Sequence, residues 1–567
     1  MGAKRMTSRL RSRALLLAGA AFFLLPVDIF ALQNGLALTP PMGFSTWNFF
    51  LCPNINEANV MLVANSLLQV WPSNWEGKQI SLKDVGYQFI NLDDCWQGVR
   101  AADGTPQWNT TEFPHGFPWL VDTIHSLGLK IGIYSDAGTA TCCVNFGTWG
   151  YDSIDAFTYR KWGFDYLKFD WCNIPSAQNT QYGCDSLYSL MEHWLVNADS
   201  LAYLADTTPN KVHHPLVFSM CQWNDFGGWR DVGGTGVNVW TWADSCANLW
   251  RTTDDNVAQW QSITAPNGPN DGVYNNWHSN LAAAAYSAPG GWNDPDMLEI
   301  GNGNLTATQN QSHMDLWCIS SAPLLMGNNP ATMSETTFTI LSNREVIAVD
   351  QDSLGYQGRV VRASAIGNAL TDSIFVVVKK LKVRATDTVN NKKYAVVILN
   401  NGSTAVAGDI LWSDIGETNT KAAYKVRNLW LHRWLKSNNI IDTATPPDTT
   451  TTITDSLYVA SIPSDGTVHV LMEMGDPDGL SSVRPQDNAA LAPQLGSSMR
   501  VRGNEIFIPL AHSIVQVFDM QGRQIASISA SQPGWYSVSG RGVVSGTCLV
   551  RLTTLAGSLS RVMTFVQ

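Results

Sequence analysis

Aspartates stand at the ends of short apolar runs in four places in this chain. They are Asp93-Asp94 in INLDDCW, Asp170 in YLKFDWCN, Asp254-Asp255 in WRTTDDN, and Asp294 with Asp296 in GGWNDPDML. Paired carboxylates across a pocket suit glycosidic bond cleavage, in which one attacks the anomeric carbon and the other protonates the leaving oxygen. Lys168 and Asp170 share parity on one strand and project to the same face. There the ammonium would hold Asp170 ionised. A structural ion pair at a rim fits that strand equally well. Arg251 and Asp255 are four apart and could meet on one helical face. Repulsion between Asp254 and Asp255 would raise one pKa, as a general acid needs. An Asp-rich helix start fits the same residues. Aspartate clusters also serve two-metal hydrolases. However, the chain has no H-E-x-x-H and no His-x-His at a strand end, and His213-His214 precede a strand. No metal and no cofactor are expected.

The elements that would position these groups recur from residue 38 to about 330. Eight short apolar segments each end in polar or aromatic residues: 42–48, 87–96, 129–138, 165–172, 215–223, 238–244, 290–298 and 322–327. Helical patterns lie between them, as in NEANVMLVANSLLQ and FPWLVDTIHSLG. Eight strand–helix repeats predict an α/β fold, a (β/α)8 TIM barrel with its site at the carboxyl ends of the strands. After about Gly355 the rhythm becomes alternating strands separated by turn signals such as NNG and SDG, predicting an antiparallel β-sandwich domain. The expected layout is a signal peptide over 1–31, a catalytic barrel over 32–350 and the β domain over 351–475. A linker over 476–499 and a small C-terminal β-sandwich over 500–567 follow.

The 567 residues are too many for one core. A hydrophobic share of 45% with 15% charged residues describes a globular protein. The net charge of -11 makes nucleic acid an unsuitable partner. The 23 tryptophans offer flat platforms for sugar faces. The start, MGAKRMTSRLRSR followed by ALLLAGAAFFLLPV, has the basic and then apolar pattern of a signal peptide, with cleavage expected after Ala31. The apolar run is too short for a membrane span. Secretion or display at the cell surface is expected, where disulfides are permitted.

Seven motifs in order then carry a resemblance: LTPPMGFSTWN, INLDDCW, GLKIGIYSDAG, YLKFDWCN, WRTTDDN, GGWNDPDMLEIGN and APLLMGNN. They resemble the melibiases, the glycoside hydrolase family 27 α-galactosidases, over roughly 36–475. The resemblance implies a retaining exo-acting enzyme with Asp170 as nucleophile and Asp255 as acid/base. It implies that Trp47, Asp93, Asp94, Tyr134, Lys168 and Arg251 contact galactose, the partner being a galactose-containing oligosaccharide or polysaccharide. Gln222 stands in CQW where many relatives have CEW, and it can still hydrogen-bond a 2-hydroxyl. Relatives acting on N-acetylgalactosamine carry small residues there, so galactose is favoured. An α-N-acetylgalactosaminidase is the alternative within the family, and a non-catalytic carbohydrate-binding barrel the alternative outside it. Asp254 departs from the small residue usual in relatives.

By the same resemblance Cys142–Cys172, Cys52–Cys95 and Cys221–Cys246 are expected disulfides, with Cys143, Cys184, Cys318 and Cys548 unassigned. The tail, with VFDMQGRQI and GTCLVRL, resembles the sorting domains of bacterial type IX secretion cargo.

Overall fold

The computed structural model describes residues 32, 34–71, 77–209, 211–226, 237–261, 270–365, 373–383, 392–419, 422–443, 452–454 and 456–474, and the strands between 500 and 565. The expected signal peptide and the 476–499 linker lie outside the described residues.

Eight strands form one parallel sheet: β1 (Met42–Ser45), β2 (Phe89–Asn91), β3 (Lys130–Asp136), β4 (Tyr166–Asp170), β5 (Val217–Cys221), β6 (Leu249–Arg251), β7 (Trp292–Asp294) and β8 (Leu324–Met326). β8 pairs back onto β1. Between β7 and β8 the wall is completed by Leu298. Its N–H donates to the Leu325 carbonyl and its carbonyl accepts from Gly327 N–H, both at 2.8 Å. The (β/α)8 barrel is therefore closed.

Helices alternate with these strands: α1 (Trp47–Phe50), α2 (Glu57–Leu68), α3 (Phe117–Ser126), α4 (Asp152–Trp162), α5 (Gln181–Ala205), α6 (Val273–Asn280), α7 (Ala307–Ile319), α8 (Glu335–Leu341) and α9 (Arg344–Asp350). Their sequences explain their limits. Asn56 caps α2 by accepting from Asn59 N–H at 2.9 Å. α3 buries Phe117, Leu120, Val121 and Ile124, one face at helical spacing. Gly163 ends α4 in the left-handed conformation, at φ 88°.

The sixth strand is not the expected 238–244. That segment forms two 3-10 turns, Val239–Thr241 and Ala243–Ser245. The strand is Leu249–Arg251 instead. The apolar character of NVWTWAD comes from Val239, Trp240 and Ala243, which anchor a turn in the core; a short apolar segment does not by itself distinguish a strand from a turn.

The β domain has a six-stranded antiparallel sheet in the order β9-β10-β11-β16-β13-β14. Its strands are β9 (Arg359–Ala365), β10 (Ser373–Lys380), β11 (Lys393–Asn400), β13 (Lys425–Asn428), β14 (Arg433–Trp434) and β16 (Gly466–Glu473). A two-stranded sheet, β12 (Val406–Ile410) with β15 (Leu457–Ile462), accompanies it. Asp315 of α7 joins barrel to β domain. It is wholly buried and accepts from Trp430 Nε1, the Thr467 hydroxyl and His469 Nδ1 at 2.6–3.0 Å.

The tail forms a three-stranded sheet, Arg500–Arg502, Glu505–Ile508 and Gly534–Ser537, and a four-stranded antiparallel one over Ser513–Phe518, Gln524–Ala530, Gly546–Thr554 and Gly557–Phe565. Among the described residues no helix is long and apolar enough to cross a membrane.

Candidate active site

Strand register assembles the site. Asp136, Asp170 and Cys221 lie side by side at the ends of β3, β4 and β5. Arg251 pairs with Asp294 across β6 and β7. Above these ends is a pocket of about 370 Å³ lined by Trp47, Asp93, Asp94, Tyr134, Cys142, Lys168, Asp170, Trp223, Arg251, Asp255, Asp296 and Met297. Of the nine residues proposed for catalysis and substrate contact, eight line this pocket. Gln222 does not. Its buried side chain turns back to accept from the Asp225 N–H at 2.9 Å. Its neighbour Trp223 lines the pocket instead, with φ at 54°, a backbone region that bulky residues rarely occupy. The turn that follows β5 is the reason: Trp223 and Asn224 both take left-handed backbone, which swings Trp223 inward.

Lys168 and Asp170 both reach the pocket, as their parity requires, but Lys168 Nζ donates to Asp93 Oδ2 at 2.8 Å. The expectation that lysine keeps Asp170 below its usual pKa is reversed. Burial dominates over the lysine, and Asp93 and Asp255 add repulsion, so Asp170 is raised to about 6. Partial burial opposes ionisation of Asp255 as well. The Arg251 and Lys168 charges, with hydrogen bonds from Arg251 and Trp223, outweigh it and hold Asp255 below the usual carboxylate range. Arg251 and Trp223 Nε1 both donate to Asp255 Oδ1 at 2.9 Å. Asp255 belongs to a short strand, Asp255–Val257, not to a helix. Arg251 meets it because β6 ends in a tight return. Asp170 is 4% exposed, while the Asp255 side chain is 42% exposed. One carboxylate thus forms the floor and the other stands at the mouth.

Asp296, a member of the acidic cluster that received no individual role, is with Trp223 and Met297 a lining residue that the sequence reading missed. It pairs with Arg251 at 3.0 Å and accepts from Asn256 N–H at 2.7 Å. Its own N–H donates to Asp294 Oδ1 at 2.8 Å, with φ at 81°. The Asp-Pro-Asp spacing at a strand end was the available signal. Asp254 is wholly buried and is not among the lining residues.

Two disulfides are present as expected, Cys52–Cys95 and Cys142–Cys172. The third is not. Cys221 and Cys246 are both free. Cys221 Sγ lies 3.6 Å from Arg251 on the inward side, whereas Cys246 Sγ packs on the sulfur of Met220, the preceding residue, at 3.7 Å. The two thiols therefore occupy opposite faces of β5.

Two carboxylates, one on the floor and one at the mouth of a pocket at the carboxyl end of a parallel barrel, define a site of the glycoside hydrolase type. The melibiase model described as alpha galactosidase A matches residues 39–352, and the chain belongs to this family. It is 37% identical over 404 residues to a probable alpha-galactosidase of Dictyostelium discoideum, covering 70% of this chain and 87% of the relative. It is 38% identical over 408 residues to an alpha-galactosidase of Coffea arabica, covering 72% and 90%. The crystal structure of alpha-galactosidase I from Mortierella vinacea is similar with a TM-score of 0.62 at 29% identity, covering 78% of this chain and 98% of that one.

Proposed function

We propose that the protein is a retaining exo-α-galactosidase. The placement of Asp170 on the floor and Asp255 at the mouth of one pocket carries this reading. Asp170 attacks the anomeric carbon while Asp255 protonates the departing glycosidic oxygen. The galactosyl ester on Asp170 is then hydrolysed by a water whose proton Asp255 accepts, so the configuration is retained. Arg251 and Trp223 fix the Asp255 carboxyl by its Oδ1, which leaves proton transfer to Oδ2. Asp93 and Asp94 accept from sugar hydroxyls. An epimer whose hydroxyl cannot reach these carboxylates forgoes charge-assisted hydrogen bonds in a desolvated pocket and is disfavoured. Exo action is what the family resemblance implies. At C2, Trp223 and Arg251 take the place assigned to Gln222, and neither is a small residue that would admit an acetamido group.

By the same reading the substrates are α-galactosyl oligosaccharides or polysaccharides. The basic-then-apolar pattern of residues 1–31 and the resemblance of the tail to sorting domains support a secreted or surface-displayed enzyme.

The test is hydrolysis of p-nitrophenyl α-D-galactopyranoside beside its α-N-acetylgalactosaminide counterpart, with Asp170→Asn as control. Cleavage of the galactoside alone, abolished in the variant, is expected. Faster cleavage of the acetamido sugar, or full activity in the variant, overturns the reading.

A further inference from the structure

We propose that Cys143 is a thiol–disulfide exchange site, competing with Cys95 for Cys52 at the rim of the pocket. Its free thiol lies 3.1 Å from Cys52 Sγ, while Cys52 is bonded to Cys95. The three sulfurs lie within 4.8 Å of one another. The sulfur that would leave is also provided for, because the Asn145 amide is 3.4 Å from Cys95 Sγ and can donate to it.

The exchange balances within the chain. The Cys143 thiol loses its proton and its thiolate attacks Cys52 Sγ. The Cys52–Cys95 bond breaks with its electron pair on Cys95 Sγ, which takes up a proton. One disulfide forms and one breaks, so no oxidant or reductant is consumed. The two isomers differ in what they tether. Asp94 accepts from Cys95 N–H at 2.7 Å and from Cys143 N–H at 3.0 Å, with Asn145 Nδ2 at 3.1 Å as a third donor. Moving the bond from Cys95 to Cys143 thus changes which of the two backbone donors to this pocket carboxylate is anchored. Burial, with Asp94, Asp93 and Asp170 facing it, pushes the Cys143 thiol up to about 11. Lys168 lies beyond, on Asp93. Exchange is therefore slow at neutral pH and faster as pH rises.

The experiment reads sulfur linkage, not hydrolysis, so its outcome is independent of the proposed activity. The full chain is held at pH 8.5 without added thiol, quenched in acid at intervals, alkylated and digested without reduction for mass spectrometry. A Cys52–Cys143 peptide that accumulates with time, matched by alkylated Cys95, is expected. Cys143→Ser should retain only Cys52–Cys95, and Cys95→Ser should show Cys52–Cys143. Cys143 alkylated throughout with Cys52–Cys95 unchanged overturns the proposal, as does a crossed linkage appearing only after denaturation. If Cys95→Ser does not fold, the time course on the native chain decides.

Discussion

Lys168 donates to Asp93 across the barrel mouth at 2.8 Å, and not to Asp170 two residues away on its own strand. The lysine is held charged despite burial by Asp93 and by the other anions around it. This is a desolvated ion pair whose members depend on each other. Lys168→Met leaves Asp93, 3% exposed, without its cation. We expect a loss of about 3–5 kcal/mol in chemical denaturation. The double variant Lys168→Met/Asp93→Asn should recover at least half of that. Additive losses would show that the pair is not coupled.

Asp255 repels Asp170, so the proton that one holds bears on the other. One proton remains on the pair from below the usual carboxylate range up to about 6. In the proposed mechanism turnover requires that proton on Asp255, at the Oδ2 that Arg251 and Trp223 leave open, and a charge on Asp170. The logarithm of kcat/KM should therefore peak in mildly acid solution and fall with a slope of one as pH rises through about 6. A plateau extending to pH 8 would contradict this assignment.

Asp170 is raised in the fold from 3.8 to about 6. For a carboxyl the sign is destabilising: folding is penalised above about 6, and the penalty vanishes below 3.8, where folded and unfolded states are both protonated. Asp170→Asn should therefore be more stable than the native chain at pH 7.5, by up to about 3 kcal/mol, and no more stable at pH 3.5. Thermal unfolding at the two pH values checks this, and an equal gain at both would exclude an ionic origin.

Asp315 holds three donors of the β domain from the barrel side. Asp315→Ala strands them in the interior, and a loss on the order of 3–5 kcal/mol is expected in urea denaturation. Asp315→Asn should restore part of it. The kcat of the folded fraction should be unchanged, since Asp315 does not line the pocket.

Cys221 and Cys246 should both react with an alkylating agent after denaturation without reduction, whereas Cys142 and Cys172 should not. Protection of the first two would restore the third disulfide.

Much of the barrel was legible because each strand is short, apolar and followed by a helix pattern. Seven of the eight expected segments contain the observed strands. The sixth misled because two 3-10 turns bury Val239, Trp240 and Ala243, so an apolar segment of strand length is not a strand. The β domain was legible as antiparallel from its turns. β9 and β12 were not, since their mixed polar character, as in VAGDI, carries no clear period.

The site divides the same way. Sequence alone determined that Asp93, Asp94 and Asp170 stand at strand ends or just beyond, because parity and apolar spacing are local properties of the chain; Arg251 and Asp255 were singled out, but their strands were not. Tertiary structure decided which of them touch. It gave Lys168 to Asp93, placed Asp296 on Arg251, turned Trp223 in and Gln222 away, and separated Cys221 from Cys246. It also decided the charges, because the pKa of Asp170 depends on the water removed by distant strands as well as on the lysine beside it. Contact and desolvation are sums over residues far apart in sequence, and only the closed barrel brings those terms together.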